Sequence, residues 1–210
     1  MATVESRPPA EHALLHGVPW GSYVALRELP ENDHVRMTYD HGDLEIMSPS
    51  RRHQKFASLI GTLIEIWAIE LDVDLDSCRT MTFNREDLDR GLEPDNCYYI
   101  QNEPLVRAKV EIDFAVDPPP DLAVEIDLTR KSLDKMAIYA AFGVPEVWRF
   151  DGRELTVHRL GPDAQYQPQE TSLCLPAFPL AQAERTLGRI GTASDTALAR
   201  SFRDWVRQHV

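Results

Sequence analysis

No apolar run in this sequence approaches the ~20 residues that a membrane-spanning helix needs, so no membrane association is expected. Its cysteines, Cys78, Cys97 and Cys174, are odd in number and widely separated. They supply neither a disulfide framework nor a zinc-ligand spacing, and a reducing cytoplasm is the expected setting. The first residues lack a basic stretch followed by an apolar core, so no signal peptide is expected. Basic charge is also scarce: 22 Lys and Arg stand against 34 Asp and Glu, a net charge of −12. That balance argues against sequence-independent adhesion to nucleic acid, which needs basic surface. It leaves room for a metal-dependent nuclease, because bound divalent ions invert the local charge of an acidic cleft. No internal repeat, low-complexity tract or glycine-rich phosphate loop is found.

What is present suits one α/β domain with decorations. The chain has 210 residues and 43% hydrophobic content, enough for a real core. Residues 1–20 read as an N-terminal arm, 21–175 as the main domain, and 176–210 as a helical extension of it. Ser22 is a plausible cap for a short helix over 23–29, which Pro30 would stop. Residues 34–39 and 43–47 flank Asp40-His41-Gly42 and read as a hairpin, with Glu45 on its second strand. Phe56, Leu59, Ile60, Leu63, Ile64, Trp67 and Leu71 recur at helical spacing and predict a long amphipathic helix over 51–71. Its first turn contains Arg51, Arg52, His53 and Lys55, the wrong sign for the helix dipole. This turn is either a solvated end or a phosphate-facing patch.

Residues 77–83 read as a strand, 84–91 as a charged loop with a late glycine, 96–100 as a strand, and 110–116 as a further extended piece. Ser132 is a candidate cap for a helix packed through Leu133, Met136, Ala137, Ala140 and Ala141, with Gly143 ending it. Residues 145–150 and 154–160 flank Asp151-Gly152, the strongest hairpin signal in the chain. A third strand over 166–171 and helices over 180–187 and 195–210 complete the pattern. Trp67, Tyr98, Tyr99, Trp148 and Trp205 are most simply core aromatics.

The stretch Pro118–Asp151 carries the chemistry. Leu122, Ala123, Val124, Ile126 and Leu128 form a nearly continuous apolar run, which suits a strand covered on both faces. Glu125 and Asp127 interrupt it and, two residues apart, share a face. Buried carboxylates cost several kcal/mol (about 3–5 when one partner is missing) unless cations or hydrogen bonds meet them. Arg130, Lys131 and Lys135 follow directly. A second acid on a neighbouring strand would complete a metal site, and Asp95, after Pro94, is the candidate. Magnesium-type ions want such oxygen ligands, and a nearby lysine can stabilise charge at a phosphate.

EPDNCYYI, PPPDLAVEID and IYAAFGVPEVWRFDG, with GDLEIMSPS and His53 upstream, resemble the Uma-two family of restriction-endonuclease-like proteins. The resemblance runs from about Tyr23 to Leu160. This family is similar to the PD-(D/E)XK nucleases, which implies a restriction-endonuclease-like core: a mixed central β-sheet flanked by helices. It also implies Mg2+ (or Mn2+) chemistry on DNA phosphodiesters. By position, Asp95 matches the PD aspartate and Glu125 the second acid, the two metal ligands. The superfamily places a lysine two residues after that acid, but here Asp127 stands there. Lys135, before Met136-Ala137-Ile138-Tyr139, matches the lysine the family shows instead. Glu45 fits an extra upstream acid, and His53, Arg52 and Lys131 are candidate substrate contacts. A homodimer is the expected assembly. The alternative is a non-catalytic PD-(D/E)XK-fold binding or assembly protein.

Overall fold

The computed structural model describes residues 12–128 and 132–210. The chain runs β1 (His12–Leu15), α1 (Trp20–Arg27), β2 (Arg36–Asp40), β3 (Asp43–Met47) and α2 (Arg51–Glu70). It continues through β4 (Asp76–Ser77), β5 (Phe83–Arg85), β6 (Arg90–Leu92), β7 (Asn96–Tyr99) and α3 (Glu103–Val106). Then come β8 (Leu122–Ile126), α4 (Lys135–Phe142), β9 (Glu146–Phe150), β10 (Leu155–Leu160), β11 (Tyr166–Gln169), α5 (Leu180–Leu187) and α6 (Asp195–His209).

The fold is α/β, with two sheets flanked by helices. The larger sheet has the order β11-β10-β9-β8-β7-β4. It is mixed: β8 pairs with β9 in parallel and with β7 antiparallel. All five residues of β8 are buried, because both faces are covered. Leu122, Val124 and Ile126 pack on one face against Phe56, Leu59, Ile60 and Leu63 of α2, in a core that also takes in Leu187, Leu198 and Phe202. Ala123 packs on the other face with Ile138, Tyr139 and Phe142 of α4. The parallel β8–α4–β9 crossover therefore sets α4 directly over the face that Glu125 shares with Ala123.

The smaller sheet, β1-β3-β2-β6-β5, is antiparallel throughout. Tyr23 of α1 stacks on Tyr39 of β2 with centroids 4.8 Å apart, over Met37 and Leu44. The two sheets are joined by polar contacts from the smaller sheet to the β8–α4 segment: the Ser132 N–H donates to Glu45 Oε1 at 2.8 Å, and Lys135 Nζ reaches the Glu93 carbonyl, after β6, at 3.3 Å. Among the described residues no helix is long and apolar enough to cross a membrane.

Several local expectations differ from the structure. The first helix begins at Trp20 after Pro19, whose φ of −63° and extended ψ start it without a side-chain cap; Ser22 lies inside it. The expected strand over 77–83 is split between β4 and β5, which belong to different sheets. The expected loop over 84–91 is a hairpin, turned by Asp89 in the left-handed region at φ 51°. Gly91 lies in its second strand, where an added Cβ would run into the Tyr23 hydroxyl and the Asn84 side-chain oxygen. Its smallness serves close packing rather than a turn. Residues 110–116 form no strand: the Asp113 N–H donates to Asp117 and the Ala115 N–H to Asp113. These carboxylates offer the backbone a local alternative to a ladder, and Val110 is left fully exposed.

The helix after β8 is capped by Asp134, which accepts from the Met136 N–H at 3.0 Å, not by Ser132. Its buried face is Lys135, Ile138, Tyr139 and Phe142 rather than the alanine stripe. These larger residues pack with Phe83, Cys97, Phe114, Ala123 and Val147, where close packing favours bulk over alanine.

Candidate active site

Asp95 sits at the residue before β7. In the β7–β8 register Asn96 faces Val124, and Asp95 directly precedes that first paired residue. Pro94 keeps the chain extended on entry. Asp95 Oδ2 accepts from the Ile126 N–H at 2.8 Å. Its Oδ1 lies 2.7 Å from His53 Nε2. His53 stands in the first turn of α2, whose start is fixed by Ser50 Oγ accepting from the His53 N–H at 3.2 Å. Both side chains are buried. His53 is thus turned onto Asp95 rather than out to solvent.

Glu125 is 1% exposed. Lys135 Nζ donates to both of its carboxylate oxygens at 3.0 Å. The Tyr139 hydroxyl donates to Oε1 at 2.6 Å. Lys135 and Tyr139 are one helical turn apart and so project from the same face of α4. Lys135 Nζ also reaches the Glu93 carbonyl at 3.3 Å. An ammonium has three donors, and among the described residues all three meet these oxygens. Burial, and then the charge of Glu125, push the Tyr139 hydroxyl well above its ordinary range. It therefore stays a proton donor toward the carboxylate at any ordinary pH.

The other sequence candidates are arranged around this pair. Glu45 comes from the smaller sheet and accepts from Ser132 N–H at the entry to α4. Asp127 leaves β8 with its N–H on the Phe150 carbonyl at 2.8 Å. Its Oδ2 accepts from Arg149 Nε at 2.6 Å. The acid in the expected lysine position is thereby matched by a cation from β9. Arg149 also lowers the pKa of His158, after burial and against the opposing charge of Asp127. Arg52 is exposed, 5.5 Å over the Phe56 ring. A Cβ on Gly152 would meet its Nη2 at 3.9 Å, so Arg52 lies at the rim between α2 and the β9–β10 turn. Lys131 lies outside the described residues.

Two buried groups escaped the sequence reading as site residues. Tyr139 could have been found from its i+4 spacing to Lys135. Glu93 carries no such signal: it takes Arg27 Nη2, the Met37 N–H at 3.2 Å and Thr82 Oγ1 at 3.2 Å, and so ties α1 to the strands of the smaller sheet. Asp121, expected at a strand start, accepts from Ile100 N–H and Asn102 N–H.

Among the described residues no group of three or more His, Cys, Asp or Glu side chains is arranged to hold a metal ion. The donor chemistry still fits a hard divalent cation. Asp95, at the entry to β7, holds the N–H of Ile126, the residue next to Glu125 on β8. Magnesium is commonly held by one or two carboxylates, with waters and substrate oxygens completing its shell.

Residues 22–192 match the family Uma2, whose description is "Putative restriction endonuclease". A crystal structure of a protein from Anabaena variabilis ATCC 29413, titled a "putative nuclease belonging to DUF820", is similar at 16% identity with a TM-score of 0.46. The similarity covers 80% of this chain and 90% of that one. No curated protein matches the sequence. The match over residues 22–192 takes in both sheets apart from β1, and every site residue above, and the chain belongs to the Uma2 family of restriction-endonuclease-like proteins.

Proposed function

We propose that this protein is a divalent-metal-dependent endonuclease that hydrolyses DNA phosphodiester bonds, with Asp95 and Glu125 as the metal ligands. The observations that support the reading are the Asp95 carboxylate on the N–H of Ile126, next to Glu125, and the buried Lys135 ammonium on Glu125. Family membership supports a nuclease and divalent-metal chemistry. Mg2+, or Mn2+, is the expected ion. When bound, it would supply positive charge for the scissile phosphate and acidity for the attacking water.

The chain's own residues have separable tasks. His53 and the Ile126 N–H hold the two oxygens of Asp95 in one orientation. Lys135 brings an ammonium into a buried space where electrostatic stabilisation of a phosphate is worth more than in water. Glu45 anchors the entry to α4 through Ser132 N–H. Arg52, at the rim, is placed to contact a backbone phosphate, and Lys131 follows β8 closely enough in sequence to do the same. Asp127, engaged by Arg149, serves to shape the β8 exit. The three free cysteines suit a reducing cytoplasm, and a homodimer is included in the reading.

The test is nicking of supercoiled plasmid in Mg2+ or Mn2+. Wild type should cleave, and Glu125→Gln, shown to be folded by circular dichroism, should lose cleavage by at least about 100-fold. A folded wild type inactive on every DNA form in both ions would instead favour the binding or assembly reading. The observation behind that alternative is that Asp127 stands in the lysine position and pairs with Arg149, while Lys135 is fully engaged by Glu125 and Glu93.

A further inference from the structure

Lys135 and Tyr139 both donate to Glu125, yet they differ in what they are able to do. Among the described residues every donor of the Lys135 ammonium meets a protein oxygen. To act on a phosphate or a water, it must release at least one of them. Four rotatable bonds separate its nitrogen from the helix, so it has the freedom to do so. Tyr139 has no such freedom. Its ring is fully buried with Phe83, Ile138, Phe142 and Val147. It meets Phe83 edge-on with centroids 6.0 Å apart. A ring so enclosed has only two torsions, both restrained by packing.

We propose that Tyr139 is the positioning residue for Glu125: its hydroxyl holds the carboxylate in place when Lys135 turns from it toward the substrate. This rests on the nuclease reading and divides labour within it. Tyr139 fixes the ligand and touches no reacting atom, whereas Lys135 is the mobile group. A carboxylate that lost its orientation as Lys135 moved would not hold a cation in constant geometry, and tolerances at such sites are about 0.5 Å.

The experiment measures Mn2+ binding to the full chain by electron paramagnetic resonance, reading the free-ion signal, for wild type, Glu125→Gln, Tyr139→Phe and Lys135→Gln. Tyr139→Phe keeps the ring and removes one hydroxyl, and its far-ultraviolet dichroism should match wild type. The expected result is an Mn2+ Kd raised about 10-fold or more in Tyr139→Phe, the usual effect of removing a group that orients a metal ligand. Lys135→Gln should keep Mn2+ binding near wild type while lowering the kcat for plasmid nicking at saturating Mn2+ by at least about 100-fold. Tyr139→Phe with wild-type Mn2+ affinity, while Glu125→Gln has lost it, overturns the positioning role and leaves the nuclease reading standing. Wild type binding Mn2+ no better than Glu125→Gln overturns the metal-ligand assignment and the positioning role with it.

Discussion

Asp95, at the entry to β7, and Glu125, on the neighbouring β8, are supported by the chain in different ways. Asp95 is held by a main-chain N–H of the adjacent strand and by His53, from a helix 42 residues earlier. Glu125 is met by Lys135 and Tyr139, 10 and 14 residues later on the helix that directly follows its strand. One half of the candidate site is thus an ammonium–carboxylate pair built within a single β–α–β unit. The other is an aspartate met by a main-chain N–H and a buried histidine, assembled from distant parts of the chain. A buried ion pair loses most when one charge is removed, because the other remains in a poorly solvating interior. A hydrogen-bonded carboxylate that loses one of its donors loses less.

The comparison can be broken by equilibrium unfolding in urea. The largest effect is expected for Lys135→Met, which removes the ammonium from Glu125 and should cost about 3–5 kcal/mol. His53→Phe removes one donor from Asp95 while the Ile126 N–H remains, and should cost about 1–3 kcal/mol. Equal costs for the two variants would mean that the supports do not differ in kind. The smallest effect on stability is expected at the rim. Arg52→Ala should leave the melting temperature unchanged, since the side chain is exposed. Under the nuclease reading it should weaken DNA binding and reduce the salt dependence of log K by about one. An unchanged salt slope would remove Arg52 from the DNA contact surface.

The half of the site within one β–α–β unit was the more legible in sequence. The apolar run of β8 with Glu125 inside it, and the lysine beginning the next helix, follow in chain order. The hairpin at Asp151-Gly152 was legible for the same reason. Asp151 accepts from Arg153 N–H and Glu154 N–H, and Gly152 takes φ 97°, local chemistry that the dipeptide itself supplies. Tyr139 was missed because the alanines of α4 offered a rival helical stripe. A helix has several possible apolar faces, and the one it buries is chosen by the volume to be filled beneath it. Gly91 was misread for a related reason: its requirement comes from Tyr23 and Asn84, which no pattern near residue 91 reveals.

The order of strands and helices, the burial of β8 and the acids upon it were set by periodicity and turn chemistry, which act over a few residues. The meeting of His53 with Asp95, the tie that Glu93 makes between α1 and the smaller sheet, and the pairing of Asp127 with Arg149 arose in packing. Such contacts depend on which surfaces come together when apolar area is buried. A hydrogen bond between residues 42 apart leaves no trace in local spacing. The Glu125 half of the site could therefore be read along the chain, and the Asp95 half was completed in three dimensions.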